Sequence, residues 1–400
     1  MHWRSSRPCR RGPNALHQKN HRETVHCREL RDQHPTTRPV LEQNTDPRQG
    51  HVTGKRKAVA RLLQAVSRFR SHRLNNHENE PIRSIAILMV GRYGDSILLT
   101  KLLRQLKAAL PDTELHVITS RTGTEEFFRY SPYVSGTFCL KSGIMAWVKF
   151  LLTHRYTVLF NPKDSPSTSN LLLCTILRAK IKVSHSHPLH EGIFDRLVKI
   201  DHLDHVTEQS AGLLDALGFD RKKYATTLPE MPRYPVGRNV QEFSRSISLK
   251  GCIGINLSAG GPSRYWTLEK WEALVREFPL HQFVVFSAGN DSADKKHLED
   301  TLPNIIPSPA TANLGEVATI LQQLDLLVTP DTSLVHMAAC FDTPVIAFFP
   351  SDLKAMKGYG PLSTTSTIVA SETYLVRDIE VGTVAEAIRS MQISLRRITG

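Results

Sequence analysis

The chain has 400 residues, 40% hydrophobic and 22% charged, which suits a water-soluble protein of two domains. No run of 18 or more apolar residues occurs, so a membrane-spanning helix is excluded, as are collagen, a coiled coil and a disulfide-stapled mini-protein. The net charge is +13, but +10 of it sits in residues 1–80, so the basicity does not mark a nucleic-acid binder, and no specific nucleic-acid partner is expected.

Residues 1–54 are rich in Arg, His, Gln, Pro and Asn, lack hydrophobic periodicity, and read as a disordered basic leader with no apolar signal core. Residues 55–80 open on KRKAVARLLQAVSRFR, an amphipathic basic helix with Val59, Leu62, Leu63, Val66 and Phe69 on one face. That pattern fits residues 55–70 lying on an anionic membrane surface, or a basic helix packed on the body.

An N-terminal Rossmann-like domain is expected over 81–230. Ser84–Val90 reads as a buried strand, Gly91–Asp95 as a turn, and Ser96–Leu110 as a helix stopped by Pro111. Strands follow at Leu115–Ile118, Tyr156–Phe160 and Ile181–Ser184, with helices at Leu171–Ala179 and Thr207–Leu217. The stretch 231–249, with Pro232 and Pro235, reads as a linker. A second series fills 250–400. Its strands are Cys252–Leu257, Gln282–Ala288, Asp325–Thr329 and Pro344–Phe349. Its helices are Leu268–Phe278, Asp294–Leu302, Leu314–Leu324, Thr332–Cys340 and Thr383–Ser394. Two such β/α series predict two parallel-sheet domains facing across a cleft.

The six cysteines form no C-x-x-C pair, which indicates a reducing compartment with neither a zinc site nor a disulfide framework. A P-loop, a G-x-G-x-x-G after the first strand, a G-x-S-x-G elbow and an H-E-x-x-H helix are all absent. No D-x-D occurs either, so a bound nucleotide would be met by backbone amides and basic side chains rather than a metal.

Three segments carry chemistry. In VGRYGDSILLT, Gly91 and Gly94 permit close backbone approach, and Asp95 stands at the carboxyl end of the first strand. A carboxylate there either caps the helix or takes a proton from a hydroxyl. In INLSAGGPSRYWTLEKW, the amides of Ser258–Gly261 and the Arg264 guanidinium form an anion site; Trp266 and Trp271 read as core. In VTPDTSLVHMAA, Thr332 and Ser333 offer hydroxyls and amides to a phosphate, Asp331 accepts from a ribose hydroxyl or caps the helix, and His336 follows one turn later.

Taken in order, these segments resemble glycosyltransferase family 9, the heptosyltransferases of lipopolysaccharide core synthesis. The resemblance rests on Gly94-Asp95 with its apolar run to Thr100, on Arg264-Tyr265-Trp266, on Asp331-Thr332-Ser333-Leu334-Val335-His336, and more weakly on His205-Val-Thr-Glu-Gln. It implies a GT-B fold and an inverting transfer, without a cofactor or metal, from a nucleotide-sugar donor such as ADP-heptose to a lipid-linked saccharide acceptor. Asp95 would be the general base and Arg264 would steady the leaving diphosphate. Ala259, Gly260, Asp331, Thr332, Ser333 and His336 would hold the donor; Gly94, Arg92 and Lys163 would lie on the acceptor side. The expected location is cytoplasmic and peripheral on the inner membrane. Alternatives are a non-catalytic nucleotide-sugar binder, or transfer of another sugar to O-antigen, capsule or protein. The sequence departs from the family pattern in having Met89 where a basic residue is common, and Ser333 in place of a Gly. The acidic residue for the ribose is either Asp291 or Asp294.

Overall fold

The computed structural model describes residues 54–71, 81–163, 167–225, 227–248 and 251–399; the leader, apart from Gly54, lies outside them. Helix α1 (Gly54–Ser71) precedes an N-terminal lobe of alternating elements. These are β1 (Ser84–Met89), α2 (Tyr93–Ala109), β2 (Glu114–Thr119), α3 (Thr122–Arg129), β3 (Gly136–Cys139), α4 (Ile144–Thr153) and β4 (Tyr156–Asn161). Then come α5 (Thr168–Ile176), β5 (Ala179–His185), β6 (Arg196–Val198) and α6 (Val206–Ala216). All six strands are parallel, in the order β3-β2-β1-β4-β5-β6.

The C-terminal lobe follows α7 (Arg238–Ile247). It comprises β7 (Cys252–Asn256), α8 (Leu268–Glu277), β8 (Gln282–Phe286), α9 (Ser292–Thr301), α10 (Leu314–Leu321) and β9 (Leu326–Pro330). It ends with α11 (Ser333–Ala339), β10 (Val345–Phe349), α12 (Leu353–Tyr359), β11 (Ser366–Ala370) and α13 (Val381–Thr399). Its five parallel strands run β11-β10-β9-β7-β8. In each sheet the order reverses at one place, between β1 and β4 and between β7 and β9. Ligands of doubly wound sheets bind at the carboxyl ends of strands beside such a reversal.

The sheets form because buried apolar residues occupy both faces of the central strands, as parallel sheets require. In β1, Ile85, Ile87 and Met89 face α2, while Ala86 and Leu88 face a cluster holding Phe150, Leu171 and Leu177. The first cluster continues into the C-terminal lobe through Leu321, Leu327 and Val335, so the lobes share apolar packing. Trp266 and Trp271 lie in the other core with Phe348, and Trp266 Nε1 donates to Ile379 O at 2.9 Å.

Several expectations need correction. Helix α2 starts at Tyr93 rather than Ser96, because Asp95 folds back to cap the Arg92 N–H. Helix α5 starts at Thr168, where Ser167 caps it, and ends at Ile176, so that Ala179 already belongs to β5. The stretch 231–249 holds α7, whose Val240, Ser244 and Ile247 are buried; Ser244 Oγ donates to Thr319 O of α10 at 2.9 Å. Helix α1 buries Ala60 and Leu63 in the cluster containing α5, while Leu62 points out, 65% exposed. Among the described residues, no helix is long and apolar enough to cross a membrane.

Candidate active site

The site grows from the two strand ends at the sheet reversals. After β1, the Asp95 carboxylate turns under the first turn of α2, and its Oδ2 accepts the Arg92 N–H at 2.7 Å. Gly91 makes room for this: a Cβ there would stand 2.5 Å from Asp95 Oδ2. The other carboxylate oxygen is left for a further donor. The Arg92 side chain reaches the opposite lobe, where Nη1 donates to Gly260 O at 2.9 Å. Gly94 lets α2 approach α11, since a Cβ there would lie 3.0 Å from His336 Cδ2. Lys163, half-buried, stands just beyond β4, the neighbour of β1.

After β7, buried Asn256 organises the facing loops. Its Nδ2 donates to Ser258 O at 3.1 Å, Thr329 Oγ1 at 2.9 Å and Thr332 Oγ1 at 3.2 Å. Thr332 caps α11 by accepting the Leu334 N–H, and Ser333 opens that helix. Arg264 Nη1 donates to both the main-chain O and Oδ2 of Asp331, each at 2.8 Å. That grip uses one edge of the guanidinium. The other edge faces the Ala259–Gly260 loop, where a Cβ on Gly260 would meet Arg264 Nη2 at 2.4 Å and Arg92 Nη1 at 2.9 Å. Two guanidiniums, one from each lobe, thus converge on one glycine.

Burial raises the Asp331 carboxyl above the usual range; Arg264 opposes this, and the Asp352 and Asp95 carboxylates add to it. Asp95 and Asp331 therefore share one electrostatic neighbourhood. His336 is buried and its pKa is pushed down to about 3, by burial first and His205 second. It is neutral, and its Nδ1 has no hydrogen-bond partner among the described residues. His205, which caps α6, is pushed down to about 4 by burial. Its Nε2 lies 3.2 Å from Gly360 O and its Nδ1 accepts the Thr207 N–H at 3.3 Å, so the bonding assigns the proton to Nε2.

Arg92, whose N–H is held by Asp95, thus meets Gly260 beside Arg264 and Asp331, and Gly94 meets His336, with Thr332 joined through Asn256. Of Asp291 and Asp294, the first is tied to the loop after β7, since Ser258 Oγ donates to it and Tyr265 OH lies 3.3 Å from its Oδ2, whereas Asp294 is exposed on α9. Sequence reasoning missed Asn256 and the reach of Arg92. A lone Asn ending the apolar strand CIGIN is the only signal for the first, and nothing local signals the second. Chemically, this cleft offers cationic and hydroxyl donors for a diphosphate beside a carboxylate that can accept a proton.

Residues 147–387 match the model of glycosyltransferase family 9 (heptosyltransferase). The chain belongs to this family. It is therefore a glycosyltransferase. Lipopolysaccharide heptosyltransferase 3 of Escherichia coli is 22% identical over 278 residues, covering 64% of this chain and 80% of that one. A putative lipopolysaccharide heptosyltransferase 4 of Escherichia coli K12 is 20% identical over 338 residues, covering 80% and 91%. Among solved structures, a family 9 glycosyltransferase from Veillonella parvula superimposes with a TM-score of 0.63 at 16% identity, covering 79% of this chain and 99% of that one. The ADP-heptose lipopolysaccharide heptosyltransferase II of Escherichia coli gives 0.60 at 16% identity, covering 78% and 99%. The two lobes are thus the GT-B architecture that the family 9 motifs imply.

Proposed function

We propose that this family 9 member moves a heptose or related sugar from ADP-heptose to a lipopolysaccharide core or other lipid-linked saccharide, with inversion and without a metal ion. The reading rests on Arg92 and Arg264 converging from opposite lobes on Gly260, beside Asp95. Solved relatives support the donor: one Escherichia coli heptosyltransferase is described with ADP and with ADP-2-deoxy-2-fluoro heptose.

In this reading the diphosphate lies against the Ala259–Gly260 loop, held by Arg264, Thr332 and Ser333. Asp331 keeps Arg264 aimed, and Asp291 takes the ribose. Asp95 removes the proton from the acceptor hydroxyl, and that oxygen attacks the anomeric carbon from the face opposite the departing diphosphate. The bond to the diphosphate oxygen breaks, and negative charge grows there. Arg264 and Arg92 meet it, supplying positive charge that a divalent cation would otherwise bring. Lys163 and Gly94 border the acceptor. The transfer takes place on the cytoplasmic face of the inner membrane.

The test is a donor comparison. ADP, UDP and GDP are titrated against thermal unfolding, then ADP-heptose is supplied with a truncated lipopolysaccharide acceptor and chelator. ADP alone should stabilise strongly, and the product linkage should have the inverted anomeric configuration. Preference for UDP or GDP, retention, or loss of transfer on chelation would each contradict the reading.

A further inference from the structure

Helices α1, α4 and α5 pack on one face of the N-terminal sheet and share one apolar cluster with Phe150, Leu171 and Leu177. The outer side of this layer is unusually apolar. On α4, Ile144, Met145, Val148 and Leu152 form a stripe and are 75%, 78%, 45% and 71% exposed. Leu172 and Ile176 on α5 are each 46% exposed, and Leu62 on α1 is 65% exposed. Meanwhile Trp147 and Phe150 turn inward, so α4 carries apolar residues on its solvent side as well as its inner one, with Lys149 its one charged residue. Such a patch on a water-soluble fold marks a surface that something covers.

Charge says what covers it. Residues 52–77, which hold α1, contain no Asp or Glu, and residues 127–190, which hold α4 and α5, contain a single one, Asp164. They hold Arg61, Lys141, Lys149, Arg155 and Arg178, all exposed. A second copy of the chain docked here would bring like charges together. An anionic bilayer complements both features: apolar side chains enter the acyl boundary while the basic side chains meet headgroups. We propose that the α4 stripe, flanked by α1 and α5, is the surface by which this protein lies on an anionic lipid bilayer. The α4 stripe supplies the insertion, and α1, part of whose apolar face is spent on the protein core, supplies charge. This goes beyond the proposed reaction and does not depend on its donor or its base.

The experiment is co-sedimentation of the full chain with vesicles of phosphatidylcholine, or of phosphatidylcholine and phosphatidylglycerol in equal parts, without nucleotide or acceptor. Binding should favour the anionic vesicles by about tenfold or more and weaken as salt is raised. Met145→Asp with Leu152→Asp should lower binding about tenfold while the thermal midpoint holds. Lys149→Glu with Arg155→Glu, at exposed positions, should do the same and carries the test if the first pair does not fold. Transfer to a water-soluble acceptor should be unchanged in both, which separates this surface from the transfer site. Wild-type binding by either variant, equal binding to neutral vesicles, or a dimer that the Asp pair dissociates without altering vesicle binding would overturn the proposal.

Discussion

Arg264 illustrates how much one side chain can be asked to do. Its Nη1 is committed to Asp331 through two 2.8 Å bonds, so the guanidinium is held in one orientation before any ligand arrives. Preorganised donors of this kind act where charge develops, and removing one typically costs about 100- to 1000-fold in turnover. Arg264→Ala should therefore lower kcat by about that factor, and Arg264→Lys should recover little, since an ammonium cannot bridge Asp331 and a phosphate with a planar fork. Steady-state kinetics on both variants checks this; a change confined to KM would count against it. Asp95, Arg264 and Thr332 can be picked out as candidates in the sequence because each follows a recognisable strand within a short connecting segment. Arg92 was legible only as a neighbour, because its partner, Gly260 O, is 168 positions away and no local pattern encodes that pairing.

Elements show the same division. Strands such as β1 and β7 are uniform apolar runs, and helices such as α2 and α8 have one apolar face, so periodicity finds them. Helix α4 escapes because IMAWVKFLLT has only Lys149 and Thr153 to break its apolar run, and α7 because prolines nearby suggest an open linker while its packing against α10 is a tertiary fact. The contact between His205 at the start of α6 and Gly360 at the end of α12 joins the lobes with a neutral imidazole. His205 and buried His336 both have pKa values pushed down, to about 4 and about 3, against about 6.5 unfolded. Between these values the unfolded chain binds more protons than the folded one, so stability is full above about pH 6.5 and is lost as the pH falls toward 4, by up to ~1.4 kcal/mol per pH unit for each group. Other groups facing this pair are Lys101, Glu208 and Tyr359. His205→Asn keeps a capping side chain for α6 but removes the imidazole. Thermal midpoints between pH 7 and pH 4 should fall less steeply for this variant than for wild type; parallel curves would refute the assignment.

At the scale of the whole molecule, two sheets of different strand order bring their reversal points to face each other. The N-terminal one carries Arg92, Asp95 and Lys163; the C-terminal one carries Asn256, Thr329 and the loops they order. The facing arrangement is held by α2 against α11, with Gly94 under His336, and by Arg92 on Gly260. The two-lobed class could be read from the β/α alternation, but the close approach of the lobes could not, because it depends on contacts between residues far apart in the chain. In the proposed reaction the Asp95 carboxylate of the first lobe activates the acceptor while the second lobe grips the diphosphate. Single-turnover transfer from ADP-heptose by Asp95→Asn, with ADP affinity measured on the same protein, tests it most directly. A fall of about 10²- to 10⁴-fold in transfer with ADP binding essentially unchanged is expected; transfer near the wild-type rate would contradict it.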